Sequence, residues 1–166
     1  MEKFKKYIKE LVPYIAIILI VVLLRTFIIT PVRVSGDSMV PTLTDGEIML
    51  LYKLSDIKRN DIIVVKTSGA DGYIIKRVIA MPNETIEYEN GKLYINGKTQ
   101  KDDFGSGNTE DFEKVTLAED EYFVMGDNRE WSKDSRMVGP INEKDIIGTT
   151  SITIFPFNKI GINKHK

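Results

Sequence analysis

Two short stretches carry side chains able to attack a carbonyl. In the first, Ser35-Gly36-Asp37-Ser38-Met39-Val40-Pro41-Thr42-Leu43, Ser38 follows a short apolar run and is flanked by Gly36 and Pro41. Glycine lets a backbone approach a ligand closely, and proline fixes the direction in which the chain leaves. That pattern suits an exposed hydroxyl nucleophile beside free backbone N–H groups; the same residues equally make a polar turn. In the second, Tyr73-Ile74-Ile75-Lys76-Arg77-Val78-Ile79, strand alternation puts Ile74, Lys76 and Val78 on one face. A lysine on an apolar face loses hydration, which lowers its pKa. A neutral amine can then take the proton of a serine hydroxyl. The competing reading is an edge-strand lysine that snorkels to water. A third stretch, Gly126-Asp127-Asn128-Arg129-Glu130-Trp131-Ser132-Lys133-Asp134-Ser135-Arg136, is dense in hydrogen-bonding groups directly after an apolar run. Asp134 and Arg136 can brace each other; as an exposed pair they would contribute at most about 1 kcal/mol, so their interest is as support for a catalytic side chain.

Composition narrows the alternatives. The 166 residues include no cysteine, which excludes a thiol nucleophile, a thiolate zinc site, an iron–sulfur cluster and disulfides. The single histidine, His165, lies in a terminal segment of a kind rarely ordered enough for chemistry. A His-dependent triad or a multi-His metal site is therefore not expected, and no metal or other cofactor is indicated. With 23 basic and 24 acidic residues the net charge is −1, which argues against a nucleic-acid binder. A serine–lysine pair is the simple remaining route to an activated nucleophile.

These groups need elements to hold them. Between Glu10 and Arg25 run 14 uncharged residues, LVPYIAIILIVVLL, eleven of them Leu, Ile or Val. At about −0.3 to −0.6 kcal/mol each, their insertion into a bilayer gains roughly 3 to 7 kcal/mol. Arg25, near a helix end, can snorkel. A helix over residues 7–26 is about 30 Å long and spans the hydrocarbon, with Pro13 in its first turns. A buried soluble helix would show an apolar stripe, whereas this segment is apolar all round. A cleaved signal peptide would end near Val34-Ser35-Gly36, but Arg33 interrupts that site and the cut would fall just ahead of Ser38. The expectation is an uncleaved anchor ended by Pro31. Lys3, Lys5, Lys6 and Lys9 outnumber Arg25 and Arg33, which puts residues 1–10 in the cytoplasm, 11–30 in the membrane and 31–166 outside.

Beyond Pro31 the pattern turns strand-like, over residues 32–34, 47–53, 61–66, 73–81, 84–89, 92–96, 121–125 and 148–154. Asn90-Gly91 predicts a two-residue type I′ hairpin turn. Asn142 can start one short helix. Residues 101–114, polar and glycine-containing, read as a mobile surface loop. The fold class is mainly β: one antiparallel β domain on a single N-terminal membrane helix.

Together the three stretches resemble the type I signal peptidases, membrane-bound serine proteases that remove signal peptides from exported proteins. The resemblance rests on GDSMVPTL (36–43), YIIKRVIAMP (73–82) and GDNREWSKDSR (126–136), in that order behind one apolar segment. It implies that Ser38 is the nucleophile and Lys76 the general base, and that Ser132 hydrogen-bonds and orients the Lys76 amine. Asp134 and Arg136 would buttress that loop, with Asp127 a further structural member. Gly36 departs from the pattern, because some members carry there a serine hydroxyl that helps hold the oxyanion. The Ser38 N–H must then do more, or Ser35 helps from another angle; one such donor is typically worth about 2.7–4 kcal/mol of barrier. Arg59-Asn60-Asp61 and Pro82-Asn83-Glu84 stand where Arg-Gly-Asp and Pro-Gly-Asp are frequent. Both changes fall in turns, where Asn replaces Gly in the left-handed region. The inserted domain of larger members is absent, as in a minimal Gram-positive-like form.

The resemblance further implies cleavage through an acyl-enzyme after small residues in an Ala-X-Ala-like pattern. Shallow apolar pockets would be needed, with Val32, Val34, Met39, Leu43, Met49, Ile74 and Ile75 as candidates and ordinary core packing as their competing reading. The implied partners are secreted preproteins and the lipid bilayer. Two rival readings are a serine–lysine protease dedicated to one secreted partner and a membrane-anchored pseudoprotease that only binds preproteins. The presence of both Ser38 and Lys76 speaks against the latter.

Overall fold

A computed structural model describes residues 2–67 and 72–162; His165 lies outside the described residues. Helix α1 runs over Glu2–Phe27 and contains Lys9–Phe27, 19 residues of mean hydropathy 2.2, none of it buried against the rest of the protein. An apolar surface on all sides with no protein cover is what a lipid solvent accommodates. The helix starts earlier than the hydropathy suggests, so Pro13 falls inside it rather than in its first turns, which removes the bond to the Lys9 carbonyl.

The helix ends before Pro31, at Phe27, and Ile28 alone joins it to strand β1 (Ile29–Arg33). Pro31 therefore sits in a strand instead of ending the anchor. Pro31 disfavours helical torsions at Thr30, and β1 is an edge strand, where a missing N–H is tolerated. The strands that follow are β2 (Ile48–Tyr52), β3 (Ile62–Lys66), β4 (Tyr73–Ala80), β5 (Thr85–Glu89), β6 (Lys92–Ile95), β7 (Lys98–Gln100), β8 (Phe112–Thr116), β9 (Glu121–Met125), β10 (Ile141–Asn142), β11 (Ile146–Phe155) and β12 (Gly161–Ile162). A four-residue helix, α2 (Ser135–Val138), starts at Asp134, whose carboxylate accepts from Arg136 N–H. Asn142 likewise caps a single 3₁₀ turn at Glu143–Asp145.

Every described pairing between strands is antiparallel. The larger sheet has the order β1-β2-β11-β3-β4-β9-β10, with β12 beside β11; the smaller has β7-β6-β5-β8. The Asn90-Gly91 turn has φ of 51° and 74° and joins Glu89 to Lys92 in register, the predicted I′ geometry. Asn60 and Asn83 hold φ of 69° and 65°, so both take the left-handed place that glycine would fill.

Three apolar clusters fix these layers. Ile79, Ala80, Phe123 and Met125 of the large sheet pack with Ile86, Leu93, Ile95 and Leu117 of the small one. Ile63, Val65, Val78, Tyr122 and Val124 form a second cluster. Val34, Met39, Leu43, Met49 and Ile62 form a third beneath the Ser38 loop. The 101–114 segment is not a free loop. Asp102 pairs with the buried Arg129, Phe104 lies over Arg77, Thr109 is buried, and β8 takes up its end. Most of its residues are exposed, as expected of a surface segment, but Asp102, Phe104 and Thr109 anchor it to the buried Arg129 and Arg77.

Candidate active site

Ser38 leaves β1 on a loop whose shape is set locally. Gly36 sits at φ +80° and donates its N–H to Asp45 Oδ1 at 2.9 Å. Val40 N–H donates to Asp37 O at 3.1 Å, and Leu43 N–H to Met39 O at 2.9 Å. The loop is pinned from the other side by Asn128, whose N–H donates to Ser38 O at 3.0 Å and whose side-chain amide donates to Asp37 O at 3.1 Å. Gly126 makes this approach possible, because a Cβ there would overlap both Ser38 O and Ser132 Oγ.

Lys76 is only 4% exposed in the middle of β4. Its Nζ lies 2.8 Å from Ser38 Oγ and 3.0 Å from Ile75 O. Burial in apolar surroundings pulls its pKa below the ordinary lysine value, although the carboxylates of Asp134 and Asp127 pull the other way. The snorkelling reading is thereby excluded: the amine points at the serine, not at water.

The third stretch surrounds this pair. Asp134, 1% exposed, receives the Arg136 guanidinium at 2.8 and 2.9 Å and accepts from Gly126 N–H at 2.9 Å. Burial alone would raise its pKa, but the Arg136 and Gly126 hydrogen bonds outweigh this and hold it below the ordinary value. Ser132 Oγ is the one buried side-chain polar atom without a hydrogen bond among the described residues, although its hydroxyl dipole lies near enough to Asp134 to favour the carboxylate. The expected bond from Ser132 to the Lys76 amine is thus not formed in this structure. The two are brought to one site but left unjoined.

Arg77, on the opposite face of β4 from Lys76, is 2% exposed and pairs with the fully buried Asp127 through two bonds of 2.8 and 2.6 Å. It also donates to Asn60 O at 2.7 Å and lies 3.7 Å from the centre of the Phe104 ring. Neither Arg77 nor Arg129 stood out in the sequence. The signal was there for Arg77: two adjacent cations inside an apolar strand put one on each face, and both need buried partners.

A groove of about 650 Å³ opens at Ser38 and Lys76 and is lined by Val32, Val34, Ser35, Met39, Ile74 and Ile75, among others. Leu43 and Met49 do not line it. Both are completely buried in the cluster below, so of the seven pocket candidates these two are core. Val34 and Met39 belong to that cluster and also reach the groove floor.

The site also has a defined place in the sheet. Lys76 pairs with Ile63, Ile63 with Thr149, Thr149 with Tyr52, and Tyr52 with Ile29. One cross-strand row therefore connects the lysine to the first strand residue after α1.

The sequence pattern of the family described as "Signal peptidase, peptidase S26" matches residues 5–155. The chain belongs to this signal peptidase family. It is 38% identical over 159 residues to a signal peptidase I of Bacillus licheniformis, covering 86% of each chain. It is 35% identical over 202 residues to a signal peptidase I of Streptococcus pneumoniae, covering 97% of this chain and 99% of that one. The crystal structure of a signal peptidase I from Enterococcus faecalis superposes with a TM-score of 0.51 at 33% identity, covering 57% of this chain and 97% of that one.

Proposed function

We propose that this signal peptidase cuts secreted preproteins with a Ser38–Lys76 dyad, releasing their signal peptides after small residues. The observation that carries this reading is the 2.8 Å contact between a half-buried hydroxyl and a buried amine whose pKa is lowered by its burial. Neutral Lys76 takes the proton of Ser38 as Oγ attacks the scissile carbonyl. The oxyanion is held by the backbone N–H of Ser38. Gly36 N–H does not serve there, being already committed to Asp45. Lys76 passes its proton to the leaving amine, which departs as the acyl-enzyme forms. It then takes a proton from water, whose oxygen attacks the ester carbonyl, and returns that proton to Ser38 Oγ as the C–O bond to the serine breaks. Ser132, whose buried hydroxyl lies beside Asp134 and makes no bond to Lys76 in this structure, turns to the amine once substrate excludes water. Asp134, Arg136 and Asp127 hold the frame.

The groove accepts an extended chain, with Val32, Val34, Met39, Ile74 and Ile75 as its apolar wall and floor. Residues 1–10 lie in the cytoplasm, the anchor crosses the bilayer, and the catalytic domain lies outside; the excess of lysine before the anchor supports this orientation. The row from Lys76 to Ile29 supports a site close to the membrane surface.

The test is cleavage of a preprotein bearing an Ala-X-Ala site by the detergent-solubilised chain, with the cut located by mass. Wild type should cut once, after the last Ala, and Ser38→Ala and Lys76→Ala should both fail while folded. Activity retained by either variant would remove the dyad.

A further inference from the structure

The joint between α1 and the sheet is a single residue, Ile28, which by itself would leave the helix free to swing. The last carbonyls of a helix lack intrahelical donors and carry its negative dipole end. Here two side chains from the sheet meet them. Thr30 Oγ1 donates to Arg25 O at 2.8 Å. Lys53 Nζ donates to Thr26 O at 2.8 Å and reaches Arg25 O at 3.5 Å. The backbone N–H of Lys53 donates to Ile28 O at 3.0 Å. Lys53 follows Tyr52, the residue paired with Ile29 in the row that runs to Lys76. One ammonium thus ties the membrane helix to the same sheet row as the proposed base. Leu54, next to it, is 75% exposed, an apolar side chain just past that end of β2 which pairs with the start of β1.

We propose that Lys53 is a positioning residue that fixes the direction in which α1 leaves the domain, and with it the height of Ser38 above the bilayer. This rests on the reading of the chain as a membrane-anchored signal peptidase. A preprotein's apolar segment lies in the same bilayer as α1, so the distance from lipid to scissile bond is set by the substrate. The enzyme must match it. An extended chain advances about 3.3 Å per residue, and a slip of one residue turns every side chain to the opposite face. A swing of the joint by that distance would therefore remove the small side chains from their pockets. Lys53 also lines the groove that opens at Ser38 and Lys76, so its effect through α1 is separated from any contact with substrate by comparing a membrane-borne preprotein with a short soluble peptide.

The experiment uses the full chain in phosphatidylethanolamine–phosphatidylglycerol vesicles. Its substrates are preproteins in which the spacing between apolar segment and Ala-X-Ala site varies in one-residue steps, and a short water-soluble peptide with the same site. Wild type should show one spacing optimum. Lys53→Met should lower kcat/KM at that optimum by about three- to tenfold more than on the peptide, and should broaden the optimum. Lys53→Arg should restore both. Equal losses on preprotein and peptide would overturn the proposal, since Lys53 would then act on substrate or fold. So would an unchanged rate and optimum in Lys53→Met. Wild type that cuts neither substrate would instead overturn the functional reading and this inference with it.

Discussion

Asp127→Ala tests the frame of the site at its most buried point. Asp127 is fully buried and Arg77 is 2% exposed, and the two share bonds of 2.8 and 2.6 Å. After the substitution the guanidinium keeps Asn60 O and the Phe104 ring but has no counter-charge. Removing one partner of a buried pair costs about 3 to 5 kcal/mol, a large part of the roughly 5 to 15 kcal/mol that holds a domain. With a urea slope of about 2 kcal/mol/M, the unfolding midpoint should fall by about 1.5 to 2.5 M. The assay is urea unfolding of the detergent-solubilised chain followed by circular dichroism. Arg77→Met/Asp127→Leu removes both charges and fills the space with apolar atoms, so it should recover most of the loss. A fall below about 0.5 M for Asp127→Ala, or a double variant no more stable than the single one, would refute the reasoning.

Other consequences follow from the same contacts. Because only neutral Lys76 accepts the serine proton, kcat/KM should rise with pH through its lowered pKa and level off below the ordinary value of 10.5; a flat profile would refute its role as base. Below its folded pKa the buried ammonium opposes folding, and the penalty fades as pH rises towards 10.5, so Lys76→Met should be more stable than wild type at neutral pH and lose that advantage in alkali. Asp134, with its pKa lowered, adds stability above the ordinary carboxyl value of 3.8 that is lost as pH falls through the folded value; Asp134→Asn should be less stable at pH 7 and show a flatter acid flank in thermal unfolding. Gly126→Ala should lower kcat by about a hundredfold or more, since a Cβ there displaces Ser38 or Ser132; wild-type turnover would contradict the close approach. Arg136→Met should move the pH–rate profile upwards, because an uncompensated Asp134 carboxylate favours the charged Lys76.

The sequence was most readable where local chemistry decides the structure. Alternation in β4 placed Lys76 on its apolar face, Asn90-Gly91 specified its hairpin, and Asn60 and Asn83 took the left-handed torsions that glycine usually fills. It was least readable where a residue's surroundings come from distant chain. Residues 101–114 read as a surface loop and are largely exposed, but Asp102, Phe104 and Thr109 within them turn inward to buried cations. Arg77 and Arg129 recruit Phe104 and Asp102 across 27 residues, and no periodicity reports that. Leu43 and Met49 resembled pocket residues because type and proximity to Ser38 cannot separate the floor of a groove from the layer beneath it. Pro31 suggested a helix end, but an edge strand also tolerates proline, and edges are set only once the sheet is assembled.

The two arginine pairs also bear on the chemistry. A serine–lysine site needs its lysine neutral, yet the hydrogen-bonding frame that holds the serine loop uses carboxylates, and carboxylates favour an ammonium. Both Asp134 and Asp127 do pull the Lys76 pKa upwards. Each is met by its own guanidinium, Arg136 for Asp134 and Arg77 for Asp127, through two hydrogen bonds apiece. The net field at Nζ is that of two dipoles rather than two anions, and it weakens faster with distance than a charge would. Burial can then dominate, as the direction of the Lys76 shift requires. Arg77 follows Lys76 on β4, so strand alternation alone sends the proposed base to one face and a compensating cation to the other. The apolar residues of the groove proposed to receive small side chains also flank the amine and help to strip water from it. An occupied groove would dehydrate Lys76 further, so substrate binding itself favours the reactive form of the base.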